Sequence, residues 1–190
     1  MHVLPARATR RRGLIRGNAH PFRAFRKLPM RRLYLAVVIA AVALPSFGSE
    51  ITPQSVIASM NAYRQQYGLP PLREDQRLVK AANQRLDDME NLDYWGHESP
   101  DGRSPFVWLK PAGYDYQYAG ENLAAGFETT EVLMSSWMES PGHRSNILSP
   151  LYEDCGVAVV DGGTTGPAEG RSIVVLFGRP KNPDPKAARK

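Results

Sequence analysis

An intramolecular disulfide needs two cysteines, and this chain of 190 residues contains one, Cys155. The fold must therefore be held together by a packed apolar core rather than by a covalent cross-link. About 142 residues remain once the N-terminal segment described next is set aside. That is enough for one domain which buries roughly two-thirds of its unfolded surface. Cys155 precedes Gly156 and an apolar stretch, which favours a small buried side chain over a reactive thiol.

The N-terminal segment has the pattern of a secretory signal. Two arginines follow Met30, an apolar run covers residues 33–44, and Ser46 and Gly48 are small residues at positions −3 and −1 of a cleavage site. An uncleaved anchor would need roughly 20 apolar residues to span a bilayer. We therefore expect cleavage after Gly48, a secreted or periplasmic protein, and no stable membrane span after cleavage. Residues 1–29 add nothing that export requires, so Met30 is the candidate true start.

Charge is distributed unevenly between this segment and the rest of the chain. Residues 1–48 hold 10 of the 24 basic residues and none of the 19 acidic ones. The remaining 14 basic and 19 acidic residues give residues 49–190 a net charge of −5. The net charge of +5 for the whole chain therefore does not indicate a nucleic-acid partner or an anionic membrane surface. We expect no nucleic-acid binding.

Hydrophobic periodicity and capping residues predict several helices followed by late strands. The predicted helices cover residues 53–67, 74–93 and 106–110, a segment that begins at Thr129 or Thr130, and a helical turn from Ser140 to Leu148. The predicted strands cover residues 116–125, 156–160 and 172–178, with a hairpin loop at 162–170. On the second helix, the pattern places Leu78, Ala82, Leu86, Met89 and Leu92 on the buried stripe and Arg85 outside it. This order indicates an α+β layered fold, and the Pro- and Lys-rich residues 180–190 are expected to form a disordered tail.

Two histidines lie outside the N-terminal segment, His97 and His143. Each lies in a run of Gly, Pro, Ser and carboxylate residues, and Glu121 falls between them in a Gly-Glu-Asn sequence. Two imidazoles and one carboxylate can form an open metal site with a fourth position for water, for which zinc is the default metal. Separations of 24 and 22 residues do not by themselves predict such a site. The alternative is that each histidine holds its own loop in place through hydrogen bonds.

Other groups near the histidines allow simpler interpretations. Ser140 suits a helix cap better than a nucleophile, because it is not in a Gly-x-Ser-x-Gly elbow. Arg144 could bind an anionic ligand or pair with Asp101 or Glu139. An aromatic cluster fits a core beneath the loops better than a ligand groove; its members are Trp95, Phe106, Trp108, Tyr114, Tyr116 and Tyr118.

Five segments occur in a characteristic order along residues 53–178. They are Asn61-Ala62-Tyr63-Arg64, His97-Glu98-Ser99-Pro100-Asp101-Gly102, Gly113-Tyr114 followed by Ala119-Gly120-Glu121-Asn122-Leu123, the stretch from Trp137 to Leu148, and Gly156-Val157 with Leu176-Phe177-Gly178. Together they resemble the CAP superfamily, which comprises cysteine-rich secretory, antigen 5 and pathogenesis-related 1 proteins and is also called SCP-like. The single-domain bacterial branch is the most similar.

The resemblance implies a three-layer α-β-α sandwich over residues 49–179, with a surface cleft. In many members the cleft gathers two histidines and two acids, and some members bind zinc or another divalent cation there. By motif, His97 and His143 match the two histidines and Glu121 matches the Gly-Glu-Asn acid. The position of the second acid is Ser140 here, and Glu139 lies one residue earlier, about 100° around a helix. The expected cleft residues are therefore His97, Glu121 and His143, with Glu139 and Ser140 as weaker candidates.

The resemblance does not identify a biochemical activity, because one fold supports many functions. One hypothesis is a binding module whose cleft receives a cell-envelope component, a lipid or another protein. A second is a divalent-metal-dependent hydrolase, in which His97 and His143 hold Zn²⁺ and Glu121 is a third ligand or a general base. A third is a purely structural extracytoplasmic domain. The missing second acid and the lack of a recognisable nucleophile favour the binding module over the hydrolase.

Overall fold

The computed structural model describes residues 48–163 and 170–182. The predicted signal up to residue 47, the hairpin tip at 164–169 and the tail from residue 183 lie outside the described residues. Four helices and four strands occur in the described part: α1 (Pro53–Gln66), β1 (Arg73–Glu74), α2 (Gln76–Asn91), β2 (Tyr116–Ala125), α3 (Thr130–Glu139), α4 (Pro141–Ile147), β3 (Asp154–Gly163) and β4 (Gly170–Pro180). None of these helices is long and apolar enough to cross a membrane.

Three of the four helices, α1, α2 and α3, begin at residues whose side chains satisfy free backbone N–H groups. The Thr52 hydroxyl accepts from the Ser55 N–H at 3.1 Å, and the Ser55 hydroxyl accepts from the Thr52 N–H at 2.9 Å, which completes a capping box for α1. The carboxylate of Asp75 accepts from the second residue of α2, and the hydroxyl of Thr129 accepts from the third residue of α3. These local signals explain why the three longer predicted helices are confirmed.

The four strands form one sheet in the order β1-β3-β4-β2. The predicted hairpin is confirmed, since β3 and β4 pair in antiparallel fashion; β4 also pairs antiparallel with β2. The two-residue strand β1 pairs in parallel with the start of β3. It was not predicted, because two residues are too few to show an alternating pattern. The order leaves β2, which carries Glu121, at the edge of the sheet.

Side chains on the central strand β4 alternate between two apolar cores. Ile173, Val175 and Phe177 are fully buried on the side of α1, α3 and α4, whereas Val174 and Leu176 are fully buried on the side of α2. Each such side chain contributes roughly 1.5–3 kcal/mol when it is withdrawn from water. Helices therefore cover both faces of the sheet, and the predicted three-layer α-β-α sandwich is confirmed.

Helix α2 lies unusually close to β3 because of Gly156. A Cβ atom at Gly156 would lie 2.2 Å from the carbonyl carbon of Leu78 and 2.3 Å from the nitrogen of Val79. Both atoms are helix backbone, so neither can move aside as a side chain would. Glycine thus permits a close approach that brings α2 within side-chain reach of the sheet.

A buried arginine connects α1 to the end of α4. Arg64 is fully buried, and its guanidinium donates to the carbonyls of Pro70 at 2.9 Å, Ile147 at 2.8 Å and Ser149 at 2.9 Å. Carbonyls at a helix C-terminus are electron-rich and lack helical partners, so they suit a cation. Arg64 thereby fixes α4, which carries His143, against the first helix.

The structure corrects three details of the sequence interpretation. Residues 106–110 form consecutive turns rather than a helix, because the segment between Pro105 and Pro111 is too short to build a hydrogen-bonded ladder. Leu92 is 49% exposed, since α2 ends at the preceding residue and Leu92 forms its cap. Arg85, predicted to lie outside the buried stripe of α2, is fully buried.

Candidate functional site

The site lies on the edge strand β2, where successive side chains point to opposite faces of the sheet. Glu121 is buried on the face covered by α2, and Asn122 is buried on the face covered by α4. A Cβ atom at Gly120 would lie 2.5 Å from the Tyr152 hydroxyl and 3.0 Å from the side-chain oxygen of Asn146. The Gly-Glu-Asn sequence therefore contacts both helical layers and leaves room for the groups that cover the strand edge.

His97 contacts Glu121 directly. Its Nδ1 lies 2.7 Å from Oε1 of Glu121, whose side chain is only 2% exposed, while the imidazole itself is 59% exposed. Since a carboxylate only accepts, Nδ1 carries the hydrogen of this bond, and Nε2 is the ring nitrogen left for a ligand. The hydrogen bond to Glu121 raises the pKa of His97 above its ordinary value, although partial burial opposes that change.

Arg85 occupies the other side of the same carboxylate. Its Nε donates to Oε2 of Glu121 at 3.1 Å, so both carboxylate oxygens are engaged. The guanidinium also donates to the Tyr94 hydroxyl and to the carbonyl of Gly96, and its central carbon lies 5.0 Å from the ring centroid of Trp108. Sequence reasoning missed Arg85. The signal that could have indicated its burial was its position seven residues after Leu78, because a helix returns to the same face after seven residues.

The loop that carries His97 is held by further charged contacts. The Tyr94 hydroxyl donates to Oδ2 of Asp88 at 2.5 Å, and Arg103 donates to Oδ1 of Asp88 at 3.0 Å. Asp101 accepts from the Ser99 hydroxyl at 2.6 Å and from Nε of Arg103 at 2.7 Å. These bonds anchor both ends of the loop to α2, so the position of His97 is set by the surrounding protein.

His143 lies in the first turn of α4, on the other side of the edge strand. Its carbonyl accepts from the side-chain amide of Asn122 at 3.2 Å, and its ring centroid lies 6.0 Å from that of Trp137. Burial lowers the pKa of His143, and the charge of His97 lowers it further. The two histidines therefore have opposite changes in pKa.

Three side chains of the α3–α4 region cover the outer edge of β2. The carbonyls of residues 119, 121 and 123 accept, respectively, from the Tyr152 hydroxyl at 3.2 Å, from the Asn146 amide at 3.0 Å and from the Trp137 indole at 3.3 Å. Asn146 also donates to Asn122 at 2.9 Å. These contacts satisfy a sheet edge that would otherwise be open to another strand. Asn122 and Asn146 were named only as parts of motifs and emerge as the residues that join the two sides.

The weaker candidates do not bond to the histidines within the described residues. Ser140 stands at the N-cap position of α4 as predicted, but its side chain makes no capping bond. Glu139 is exposed and accepts from the Ser135 hydroxyl at 3.4 Å. Arg144 donates to the Tyr67 hydroxyl at 2.9 Å rather than to Asp101 or Glu139.

A surface groove of about 530 Å³ borders α4, and His97, Glu121 and His143 are not among its lining residues. The residues that line it are Met138, Glu139, Pro141, Arg144, Ser145, Leu148, Ser149 and Pro150. Of the predicted aromatic cluster, Tyr114 is fully buried and Trp95, Phe106, Trp108 and Tyr116 pack partly buried on the α2 core, as expected. Tyr118 is an exception and is exposed.

The contacts of Glu121 bear on the predicted metal ligands. Both of its oxygens are hydrogen-bonded, one to an imidazole and one to a guanidinium, so a metal ion here would compete with both partners, which makes the carboxylate a poor fit for the role of third ligand. Within residues 48–163 and 170–182, no group of three or more His, Cys, Asp or Glu side chains is arranged to hold a metal ion. A carboxylate bonded to the far nitrogen of a histidine is typical of a group that orients the ring. Zinc binding by the two histidines stays a prediction.

Comparison with known proteins supports the resemblance to the CAP superfamily. A family model described as the cysteine-rich secretory protein family, CAP, matches residues 57–175, more than half of the chain. The chain belongs to this family. The matched region includes all the site residues discussed above, from Arg85 to Asn146. With its single cysteine, this CAP-domain protein depends on the two apolar cores rather than on disulfides.

Three similar proteins come from bacteria. Uncharacterized protein YkwD of Bacillus subtilis strain 168 is 42% identical over 111 residues, which cover 58% of this chain and 43% of YkwD. An extracellular protein containing an SCP domain from Bacillus anthracis strain Ames has a similar structure, with 27% identity and a TM-score of 0.58, covering 69% of this chain and 45% of that one. An outer surface protein from Borrelia burgdorferi shares the fold, with 21% identity, a TM-score of 0.59, and coverage of 70% of this chain and 99% of that one. The chain thus spans less than half the length of the first two relatives.

Proposed function

We propose that this CAP-domain protein is an exported binding module whose site at His97, Glu121 and His143 receives a cell-envelope component, a lipid or another protein. The observation that carries the proposal is the arrangement of His97. Its ring is exposed and oriented from below by a buried carboxylate, so Nε2 is held in place to contact a ligand. A fixed donor or acceptor binds without the entropy loss of ordering a mobile side chain.

The absence of a paired nucleophile supports binding over hydrolysis. Among the described residues, neither histidine forms a hydrogen bond with a Ser, Thr or Cys side chain, as an activated nucleophile would require. The one thiol, Cys155, is fully buried in β3, and burial raises its pKa to about 12. Glu121 is engaged on both oxygens and is therefore poorly suited to act as a general base on water.

We further propose that the protein acts outside the cytoplasm, in the periplasm or the extracellular medium. The support is the signal pattern before Ser49 and the description of two relatives as an extracellular protein and an outer surface protein. N-terminal sequencing of the protein recovered from the culture medium and from the periplasm tests this. A first residue of Ser49 is expected, whereas an intact N-terminus in the cytoplasm would contradict the proposal.

The binding proposal is tested with three envelope fractions: purified cell-wall sacculi, phosphatidylglycerol vesicles, and detergent-solubilised envelope proteins applied to the immobilised protein. We expect saturable binding to at least one fraction. The His97→Ala/His143→Ala double variant should lose that binding while its circular dichroism spectrum is unchanged. Glu139→Ala is the matched control, since this exposed carboxylate on α3 accepts from Ser135 and bonds neither histidine, and it should bind normally.

Two results would count against the binding module. One is the absence of binding to all three fractions. The other is equal binding by the native protein and the double variant. A large fall in thermal stability of the double variant without any change in binding would instead support a structural role for the histidines.

A further inference from the structure

We infer that Arg85 positions the His97–Glu121 pair and serves as its internal counter-ion, so that the cation required by the buried carboxylate is part of the chain itself. This inference goes beyond the proposed binding function and does not depend on the identity of the ligand. It also accounts for the poor fit between Glu121 and the role of a metal ligand. Three observations carry it.

The first observation is that Arg85 uses its whole guanidinium inside the protein. The side chain is fully buried, Nε bonds Glu121, Nη1 bonds the Tyr94 hydroxyl, and Nη2 bonds the carbonyl of Gly96. A buried charge is tolerated only when it is paired and hydrogen-bonded. The rigid fork of arginine makes bonds in several directions at once, which the single ammonium group of lysine cannot reproduce.

The second observation is that the guanidinium holds both sides of the His97–Glu121 contact. It bonds Oε2 of Glu121, while His97 bonds Oε1 of the same carboxylate. It also bonds the carbonyl of Gly96, the residue immediately before His97. Arg85 thus sets the orientation of the imidazole, because it contacts both Glu121, the hydrogen-bond partner of His97, and the backbone immediately before His97. Arg85 is a positioning residue and does not itself face a ligand.

The third observation is the local balance of charge. The buried positive charge of Arg85 compensates the buried negative charge of Glu121, with Asp88 3.9 Å away and itself bonded to Arg103. A divalent cation at Glu121 would lie beside the buried guanidinium, a like charge, and would compete with it for the same carboxylate. That arrangement is strongly unfavourable. The site therefore disfavours a divalent cation at Glu121 and leaves Nε2 of His97 to accept a hydrogen bond from a ligand.

The test is isothermal titration of the protein with Zn²⁺ alone, comparing wild type with Arg85→Gln. Arg144→Gln is the matched control, because Arg144 is an exposed arginine that bonds Tyr67 rather than Glu121. Removing the buried charge should increase the Zn²⁺ affinity on the order of tenfold or more, since it removes a like charge next to the carboxylate. The control should bind as wild type does. Equal Zn²⁺ affinity in all three proteins would overturn the inference.

A second measurement covers the case in which Arg85→Gln does not fold. The ¹⁵N spectrum of the wild-type His97 ring should show a protonated Nδ1, and Nδ1 should keep its hydrogen when stoichiometric Zn²⁺ is added. Loss of the Nδ1 hydrogen when Zn²⁺ is added would overturn the inference. Arg85→Lys keeps the charge but loses the fork, so we expect low Zn²⁺ affinity together with a loss of the single Nδ1–H signature. An unchanged ring signature in Arg85→Lys would reduce Arg85 to a structural role.

Discussion

The buried pair of Arg85 and Glu121 predicts a strong energetic coupling that a double-mutant cycle can measure. Glu121→Leu leaves a guanidinium in a site with no exposure to water, and Arg85→Met leaves a carboxylate that is 2% exposed. Breaking a buried ion pair by removing one partner costs about 3–5 kcal/mol. Simple addition would therefore give the double variant a loss of about 6–10 kcal/mol.

The double variant should instead lose much less, because neither charge remains to be compensated. The Tyr94 hydroxyl and the Gly96 carbonyl still lose their donor, at about 1 kcal/mol each. We expect a total loss of about 2–4 kcal/mol, so the coupling energy should exceed about 2 kcal/mol. Removing the exposed Arg144 side chain in Arg144→Met serves as a control and should change stability by no more than about 0.5 kcal/mol.

The assay is equilibrium urea unfolding of the wild type, the two single variants, the double variant and the Arg144→Met control, monitored by tryptophan fluorescence and circular dichroism. Coincident transitions and equal m-values justify comparing the free energies of unfolding. If the losses of the two single variants simply add in the double variant, the pair is not coupled, and the reasoning about Arg85 as a counter-ion is wrong.

Three further predictions rest on the same geometry. Gly156→Ala should destabilise the protein by about 3 kcal/mol or more in urea unfolding, because its Cβ would overlap helix backbone at 2.2 Å, while Gly142→Ala, where nothing lies within 4 Å, should not destabilise it. In an NMR titration, the pKa of His97 should lie above its ordinary value of 6.5. The contribution of His97 to stability is then fully present below pH 6.5 and is lost as the pH rises through the higher folded-state pKa. Glu121→Gln should abolish the increase in the pKa of His97, and an unchanged titration in that variant would contradict the contact. Cys155, whose pKa burial raises to about 12, should resist thiol reagents in native protein and react in urea; rapid labelling of native protein would show that the β3 core opens.

Much of the fold could be predicted because its signals are local. Thr52 and Pro53 mark the start of α1, and the apolar residues that precede and follow the loop at 162–170 mark two strands joined by a hairpin. Each of these signals depends on residues a few positions apart. The five ordered motifs then identified the family, and with it the three-layer arrangement that local signals alone leave open.

The site was predicted less completely, because its contacts join distant residues. The sequence directed attention to His97 and Glu121, 24 positions apart, and these two are in contact. It also suggested Glu139, which lies near His143 in the chain but accepts from Ser135 on α3 rather than contacting a histidine through a hydrogen bond. Nearness in sequence does not predict contact in space when a helix turn intervenes.

The α+β class, the positions of the main elements and the segments that carry the histidines all follow from the amino-acid sequence, because periodicity, capping and motif order are properties of neighbouring residues. The burial of Arg85, in contrast, is a property of the folded molecule. It depends on Glu121, a residue 36 positions away on the edge strand β2, whose carboxylate accepts from Nε of Arg85 at 3.1 Å. A charged side chain on an apolar stripe is unfavourable alone and acceptable with a buried partner, and that partner exists only in the folded chain.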